Sequence, residues 1–412
     1  MSVADTQQQK TRSTRGSVPM SRFKLNGVSM DVSVVEASVV STDGQHDEAR
    51  VTVTSSTLET TDDLVDQPIS FYWGVAPRAE TFAGYIMSVE EKSGGATGAL
   101  TFSMVIFGAT KAMFQGSPQF WSRRSVPSAV SELAGKDGLG FYGHPHTYLW
   151  KALAQTEETD WTMAQKLTSK IGWRLWQRYG CLLCYDPLKL FQESGSYARL
   201  YMGTPEDYTT DRQLLEFQPM EVSTVEKAQL GSKYGYFNEG TVQVATEPGE
   251  FKGYKFNTDT VIEDSRSAAT YIEAGSTDLD TWKQSAMART WGDADIFPGM
   301  CVEVITTNRR YLKAKYDGKW LVRGTSHQMD RQQYQTMLYL VRPSSKAAVS
   351  TATYTPFWRM TDVSAAKPSL SINDGRWLSS KAGTMTYMPP SNIGKIVDGD
   401  KLPGGPLVGY QP

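Results

Sequence analysis

Cysteine and histidine are scarce in this chain, with three and four among 412 residues. So few thiols cannot build the disulfide framework on which small secreted scaffolds rely. Long apolar runs are missing as well: no window holds the roughly 18 consecutive apolar residues of a membrane-spanning helix. The opening MSVADTQQQKTRSTRGS is polar and lacks the apolar core of a secretion signal. These absences point to a chain made in, and kept in, a reducing cytoplasm until it is assembled. A formal net charge of −2 gives no global attraction to nucleic acid or to anionic lipid. Nothing in residues 288–343 resembles a nucleophile elbow or a metal cage. SGGATGA at 93–99 lacks the Lys-Ser/Thr pair and following helix of a phosphate loop, and reads as a hairpin turn.

What is present is globular and rich in β signals. Aromatics make up 11% and charged residues 21%, and the length allows two to four domains at roughly 100–200 residues each. Residues 1–20 are low in complexity and read as a flexible tail. From 21 to about 120, alternating runs such as EARVTVTSST, and apolar ones such as QPISFYWGVA and GALTFSMVIFGATKAM, predict five or six strands between short turns. In ETFAGYIMSVE, Gly84 sits mid-strand, where a bulge or a close backbone approach is expected. Between about 121 and 232 a helical period enters. Leu149, Leu153 and Ala154 share one helical face, and Asp160 is placed to cap a second helix carrying Trp161, Ala164, Leu167, Thr168 and Ile171. Strand character returns from 233 to 343, with a helix read over DTWKQSAMARTWGDA through Trp282, Ala286 and Arg289. In this part Pro298-Gly299 leads into MCVEVIT, and Asp317-Gly318 is a strong hairpin signal flanked by Tyr316 and Trp320-Leu321-Val322. Residues 344–412 are clusters of Ser, Ala, Pro and Gly with little periodicity, an extended arm whose isolated Tyr354, Phe357, Trp358 and Trp377 would anchor it to a partner.

Three motifs in this order resemble the tail hub (baseplate hub) proteins of long-tailed bacteriophages, relatives of the hub part of the type VI secretion spike. The first is ETFAGYIMSVE at 80–90, similar to the F-x-G-x-I strand of the first hub barrel. The second is QTEETDWTMAQKLTSKIGWRLW, in which Thr159-Asp160-Trp161, Leu167 and Gly172-Trp173 match. The third is GDADIFPGMCVEV with GKWLVRGTSHQM and YQTMLYLVR, in which Gly292-Asp293, Pro298-Gly299, Val302, Val304, Val322, His327, Tyr334, Thr336 and Leu338 match. Together they span about 20–343. The fold this implies is mainly β with an α+β insertion. Two similar small, tail-tube-like β-barrel domains at 21–120 and 233–343 flank an α+β domain at 121–232, with the tail at 1–20 and the arm at 344–412. The function implied is structural and non-enzymatic. A homotrimer would form a pseudo-sixfold ring at the virion tail tip, with tail-tube ring proteins above and tip or fibre proteins below, and DNA would pass its lumen without specific binding. The chain would be made in the host cytoplasm. A tail-associated peptidoglycan hydrolase and a glycan-binding adhesin are the competing readings.

Against that expectation stand a few chemical candidates. Cys181 and Cys184 form CLLC, a spacing used by redox pairs and half zinc sites. Its apolar interior and the lack of a second Cys or His pair nearby make it a buried strand instead. His144 and His146 alternate about Pro145, so both imidazoles point to one side, but zinc needs three or four ligands. No metal, cofactor or catalytic residue is expected. Glu157-Glu158, Glu90-Glu91 and Asp62-Asp63 are adjacent and diverge, unlike working glycosidase carboxylates. The stretch 308–319, with Arg309, Arg310, Lys313, Lys315 and Lys319, reads as a solvated hairpin tip or as a contact with DNA or an acidic partner. Gly84, Trp161, Trp173, Gly292, Asp293, Pro298, Gly299 and His327 are the expected packing and turn positions.

Overall fold

Alternating apolar residues give strands that pair into one long sheet. The computed structural model describes residues 20–25, 28–30, 32–55, 64–75, 78–92, 100–178, 180–203, 211–221, 233–238, 241–246, 266–267, 270, 282, 284–306, 316–330, 333–343, 376–379 and 385–388. The first module holds β1 (Met20–Leu25), β2 (Val28–Met30), β3 (Ser33–Thr42), β4 (Glu48–Ser55), β5 (Pro68–Val75), β6 (Arg78–Lys92) and β7 (Leu100–Gly108). They lie in the order β3-β4-β7-β6-β5-β1-β2, and every pairing is antiparallel. Their inward residues, Val39, Val51, Val53, Ile69, Phe71, Phe82, Ile86, Phe102, Met104 and Ile106 among them, form one core. Gly84 lies where β6 meets β7, and a Cβ there would come within 2.0 Å of the Phe107 carbonyl oxygen. The register shift in β6 falls at Ile86/Ser88, just beyond it.

The α+β part follows. It contains β8 (Gln119–Arg124), α1 (Val126–Lys136), β9 (Gly140–Gly143), β10 (Trp150–Gln155), α2 (Asp160–Ser169), β11 (Arg174–Arg178), β12 (Cys181–Tyr185) and α3 (Pro187–Glu193). The helix read through Leu149, Leu153 and Ala154 is in fact β10, paired with β8. Three or four apolar positions fit either period over so short a run, and the partner strand decides between them. The α2 helix carries the predicted face through Trp161, Ala164, Leu167 and Thr168, all buried; Ile171, also buried, lies in the turn just past its end. Its cap is Thr159, whose Oγ1 accepts from the Thr162 amide at 3.2 Å. Asp160 is the first helical residue; it is fully buried and receives the Lys136 ammonium at 2.6 Å. CLLC is the buried strand β12. Leu182 and Cys184 face the core of the insertion, while Leu183 and Tyr185 face the core of the second barrel. Burial raises the Cys184 thiol well above its usual range and pushes Cys301 up to about 12, so both are inert packing groups.

The second β module comprises β13 (Ala198–Tyr201), β14 (Asp211–Glu221), β17 (Gln284–Trp291), β18 (Cys301–Ile305), β19 (Gly318–Asp330) and β20 (Tyr334–Arg342). These six close into a barrel, since β18 pairs with both β13 and β19. Its strands β13 and β14 lie inside the 121–232 span that the sequence assigns to the insertion. The helix read at DTWKQSAMARTWGDA is β17, where Ala286, Ala288 and Thr290 point inward between β14 and β20. Alanine-rich stretches imitate helix propensity, but neighbours on both edges override it. Asp317-Gly318 is no two-residue turn either. Val304 pairs with Gly318, and the Asp317 carboxylate closes the base of a longer connection by accepting from the Thr306 amide at 2.8 Å. Beyond these, β15 (Lys233–Asn238) pairs with β16 (Thr241–Thr246), and in the arm β21 (Arg376–Ser379) pairs with β22 (Met385–Met388).

Trp161 is 5% exposed and belongs to the core of the insertion. Replacing it with Ala is expected to cost about 3–5 kcal/mol, read as a drop in the urea midpoint; a variant that unfolds with the parent would contradict this packing.

Candidate functional site

The site that matters in this chain is the joint of its three parts, and it is made by one short turn. Thr42-Asp43-Gly44-Gln45-His46-Asp47 links β3 to β4. Gly44 takes φ +74, and the Gln45 amide bonds back to the Thr42 carbonyl at 3.1 Å. Nearly every residue of the turn then binds another module. Asp43 is buried and accepts the Arg323 guanidinium of β19 in a fork, at 2.8 and 3.1 Å, with Arg174 of the insertion at 4.0 Å. The Gly44 amide donates to the Leu175 carbonyl at 2.6 Å, and its own carbonyl accepts from Gln165 of α2 at 2.5 Å. The His46 ring lies 4.4 Å from Trp161 and 4.5 Å from Phe114, with Nδ1 2.9 Å from the Thr110 hydroxyl. Asp47 accepts from the Trp176 indole at 3.2 Å and from the Gln177 amide at 2.5 Å.

One strand completes the joint. Along one edge, β19 pairs with β18 over Gly318–Leu321 and then with β3 over Gly324–Asp330. Its other edge stays on β20, with a register shift between Val322 and Gly324. Arg323 sits at that shift and reaches Asp43. The sheet therefore leaves the second barrel and becomes the first module without a break. Among the described residues, β3 takes β19 as its second neighbour, so no ring is recorded for the first module alone.

Behind the turn lies a cleft of about 60 Å³ lined by all three parts, including Trp73 and Phe82, Trp176 and Gln177, and Phe297 and His327. That is room for a few waters, not for a sugar. The Arg178 guanidinium lies 3.5 Å over the Phe297 ring. Burial, only partly offset by hydrogen bonds from Gln177, Ser41 and Trp176 and by the charge of Arg178, pushes Asp47 up to about 7. His327 is 2% exposed, with Nδ1 3.1 Å from the Tyr334 hydroxyl and 3.0 Å from that of Thr336. Its ring meets Trp73 of the first module edge-on at 4.7 Å. Desolvation brings it down to about 3, so it is neutral at physiological pH.

The other predicted positions fall as follows. A Cβ on Gly292 would strike the Tyr334 ring, and the buried Asp293 carboxylate pairs with Arg212. Pro298-Gly299 forms a turn in which the Met300 amide bonds to the Phe297 carbonyl at 3.3 Å and Gly299 takes φ +86, as a type II turn requires. Trp173 is buried, and His144 and His146 both meet it edge-on, at 6.0 and 5.3 Å. His144 Nδ1 accepts from the Asp186 amide and His146 Nδ1 from the Tyr148 amide, so these lone pairs are spent on backbone. Among the described residues no three His, Cys, Asp or Glu side chains converge as metal ligands, and no helix is long and apolar enough to cross a membrane. Lys319, read as part of a basic tip, is 4% exposed and its ammonium binds the Phe191 and Ser194 carbonyls at the end of α3. Arg309, Arg310, Lys313 and Lys315 lie outside the described residues, as do Tyr354, Phe357 and Trp358; Trp377 pairs with Tyr387.

The same arrangement of modules recurs in solved structures. A prophage MuSo2 43 kDa tail protein from Shewanella oneidensis superposes with a TM-score of 0.58 at 11% identity, covering 79% of this chain and 98% of that one. A tail protein from Neisseria meningitidis MC58 gives 0.57 at 14%, covering 79% and 97%. The chain has the fold of these tail proteins. The c3393 protein of E. coli, a type VI secretion system component described as structurally similar to T4 bacteriophage tail proteins gp27 and gp5, gives 0.55 at 12%, covering 82% and 80%. No family model and no curated protein matches the sequence, so the likeness resides in backbone rather than in residue identity.

Truncating one partner of a buried ion pair strands the other. Arg323→Ala should therefore destabilise the chain by about 3 kcal/mol, the low end of the range for buried pairs, since the Arg323 side chain is 28% exposed. Adding Asp43→Asn should recover part of the loss in urea melts. Parent-like stability of the single variant would show that the fork contributes nothing.

Proposed function

We propose that this chain is a structural protein of a phage tail, a member of the tail hub family that works without catalysis as a homotrimer at the tail tip. The observation that carries the reading is the closed barrel joined edge to edge, through β19 and β3, to a second β module in the same chain. Three copies then present six β modules around one axis. Such a ring continues a sixfold tail tube on one side and meets a threefold tip or fibre protein on the other. The tail-protein backbone likeness, over about four fifths of the chain, supports it.

The outer face of the shared sheet suits a channel. Ser326 and Gln328 of β19 stand beside Val40 and Ser38 of β3, and beside Met337 and Gln335 of β20. These side chains are uncharged, and the row ends where Asp330 faces Glu36. DNA grips Lys and Arg through its phosphates. On the flanking strands Arg50 beside Ser38 and Arg289 beside Met337 are each paired with a glutamate, Glu48 and Glu216, so the face offers little unbalanced positive charge and lets DNA slide. Virion location, tube-ring and tip partners, and passage of the genome through the lumen follow from the same reading.

Mass photometry with negative-stain microscopy of the purified chain, alone and mixed with the adjoining tube-ring protein, tests the proposal. It predicts three chains in a six-lobed ring with a central hole. A chain that stays monomeric in both samples, or that closes with six copies, would overturn it.

A further inference from the structure

The insertion turns an open strand edge outward. Strands β8 and β10 form a two-stranded ribbon, and among the described residues neither has a further strand beside it. Trp121 and Leu153, paired across the ribbon, are buried, while Ser122, Ala152 and Ala154 are exposed. On this outer side Phe120 is 66% exposed, more than any other large apolar side chain among the described residues. Arg123 takes φ +51, a conformation that a non-glycine residue adopts only at a cost. It interrupts the alternation of the strand, and Arg123 and Arg124 are both exposed. Neither side chain has an ion pair among the described residues. An edge that carries an aromatic and two adjacent cations suits an extended segment adding as a strand.

We propose that residues 395–400 of the chain's own C-terminal arm occupy this edge, as a strand laid beside β8. The proposal is independent of the tail-hub reading. The segment is Lys395-Ile396-Val397-Asp398-Gly399-Asp400, and Asp398 and Asp400 are the only carboxylate side chains in 389–412. Alternate residues of a strand share a face. Set parallel to β8 with Ile396 beside Phe120, the segment brings Asp398 level with Ser122 and Asp400 level with Arg124. Arg123 then lies between the two carboxylates. The exposed ring and both cations thus meet their complements in one register. Lys395 falls level with Gln119, at the end of the ribbon away from the arginines, and Lys401 falls past its other end.

The arm reaches that far. In its hairpin, β21 lies against β9 and β12, which belong to the same insertion. Helix α1 carries the chain from β8 to β9, and its 11 residues span about 16 Å. From Met388, where β22 ends, an extended chain covers about 23 Å by Lys395.

Photocrosslinking of the full chain tests this. Replacing Phe120 with p-benzoylphenylalanine leaves the core untouched, because the side chain faces solvent, and peptide mapping after irradiation reports what lies on it. The expected product has the mass of one chain and joins position 120 to the peptide holding 393–400. Arg123→Glu with Arg124→Glu should abolish this crosslink, and adding Asp398→Lys with Asp400→Lys should restore it. Salt should weaken it in the parent, since exposed ion pairs are screened. A crosslink to another part of the chain, none at all, or one that joins two chains would overturn the proposal. So would a crosslink that survives the arginine reversal, because the apolar contact alone does not select this segment.

Discussion

The fold hangs on one short turn inserted between three bodies. Without Asp43–Asp47, the first β module would meet the second along β19 and through Ala294, Met329 and Tyr334 in its core, and the insertion would meet the first mainly through apolar contacts. With it, a forked ion pair, two backbone bonds, an aromatic cluster around His46 and a buried carboxylate converge within five residues. Polar groups placed this deep cost more than they return unless every partner is in position. They therefore specify a single relative placement of the modules, which apolar packing alone tolerates in several versions.

Strand β19 applies the same constraint in the sheet. A single edge passes from β18 to β3 at a register shift, and the side chain at that shift is the one that grips the turn. Bulges re-aim a strand and raise its local twist. Here the re-aiming lets one strand close a barrel with its first half and begin a new module with its second. The joint thereby holds the two modules at one fixed angle to each other.

Legibility in the sequence divides along local and non-local lines. The mainly β plan, the α2 face, the burial of CLLC and the Pro298-Gly299 turn are readable because each depends on neighbours a few residues away. The β10 and β17 strands read as helices because Leu149–Ala154 and Trp282–Arg289 satisfy a helical period, and their strand partners lie far along the chain. The membership of Ala198–Glu221 in the barrel is hidden for the same reason, since β13 is paired to a strand about a hundred residues later. The joint itself is invisible in the sequence. TDGQHDE reads as an ordinary polar turn, and only its density of Asp and His beside a Gly hints at buried partners. Lys319 shows the reverse error: a lysine in a basic stretch reads as solvated, while α3 supplies carbonyls for it.

The turn and β19 together make three modules one mechanical unit, and differential scanning calorimetry tests this most directly. One transition is predicted for the wild type, with calorimetric and van't Hoff enthalpies equal, and separation into two when Asp43 and Asp47 are both replaced by Ala. A wild-type chain that already unfolds in independent steps, unmoved by those substitutions, would contradict it.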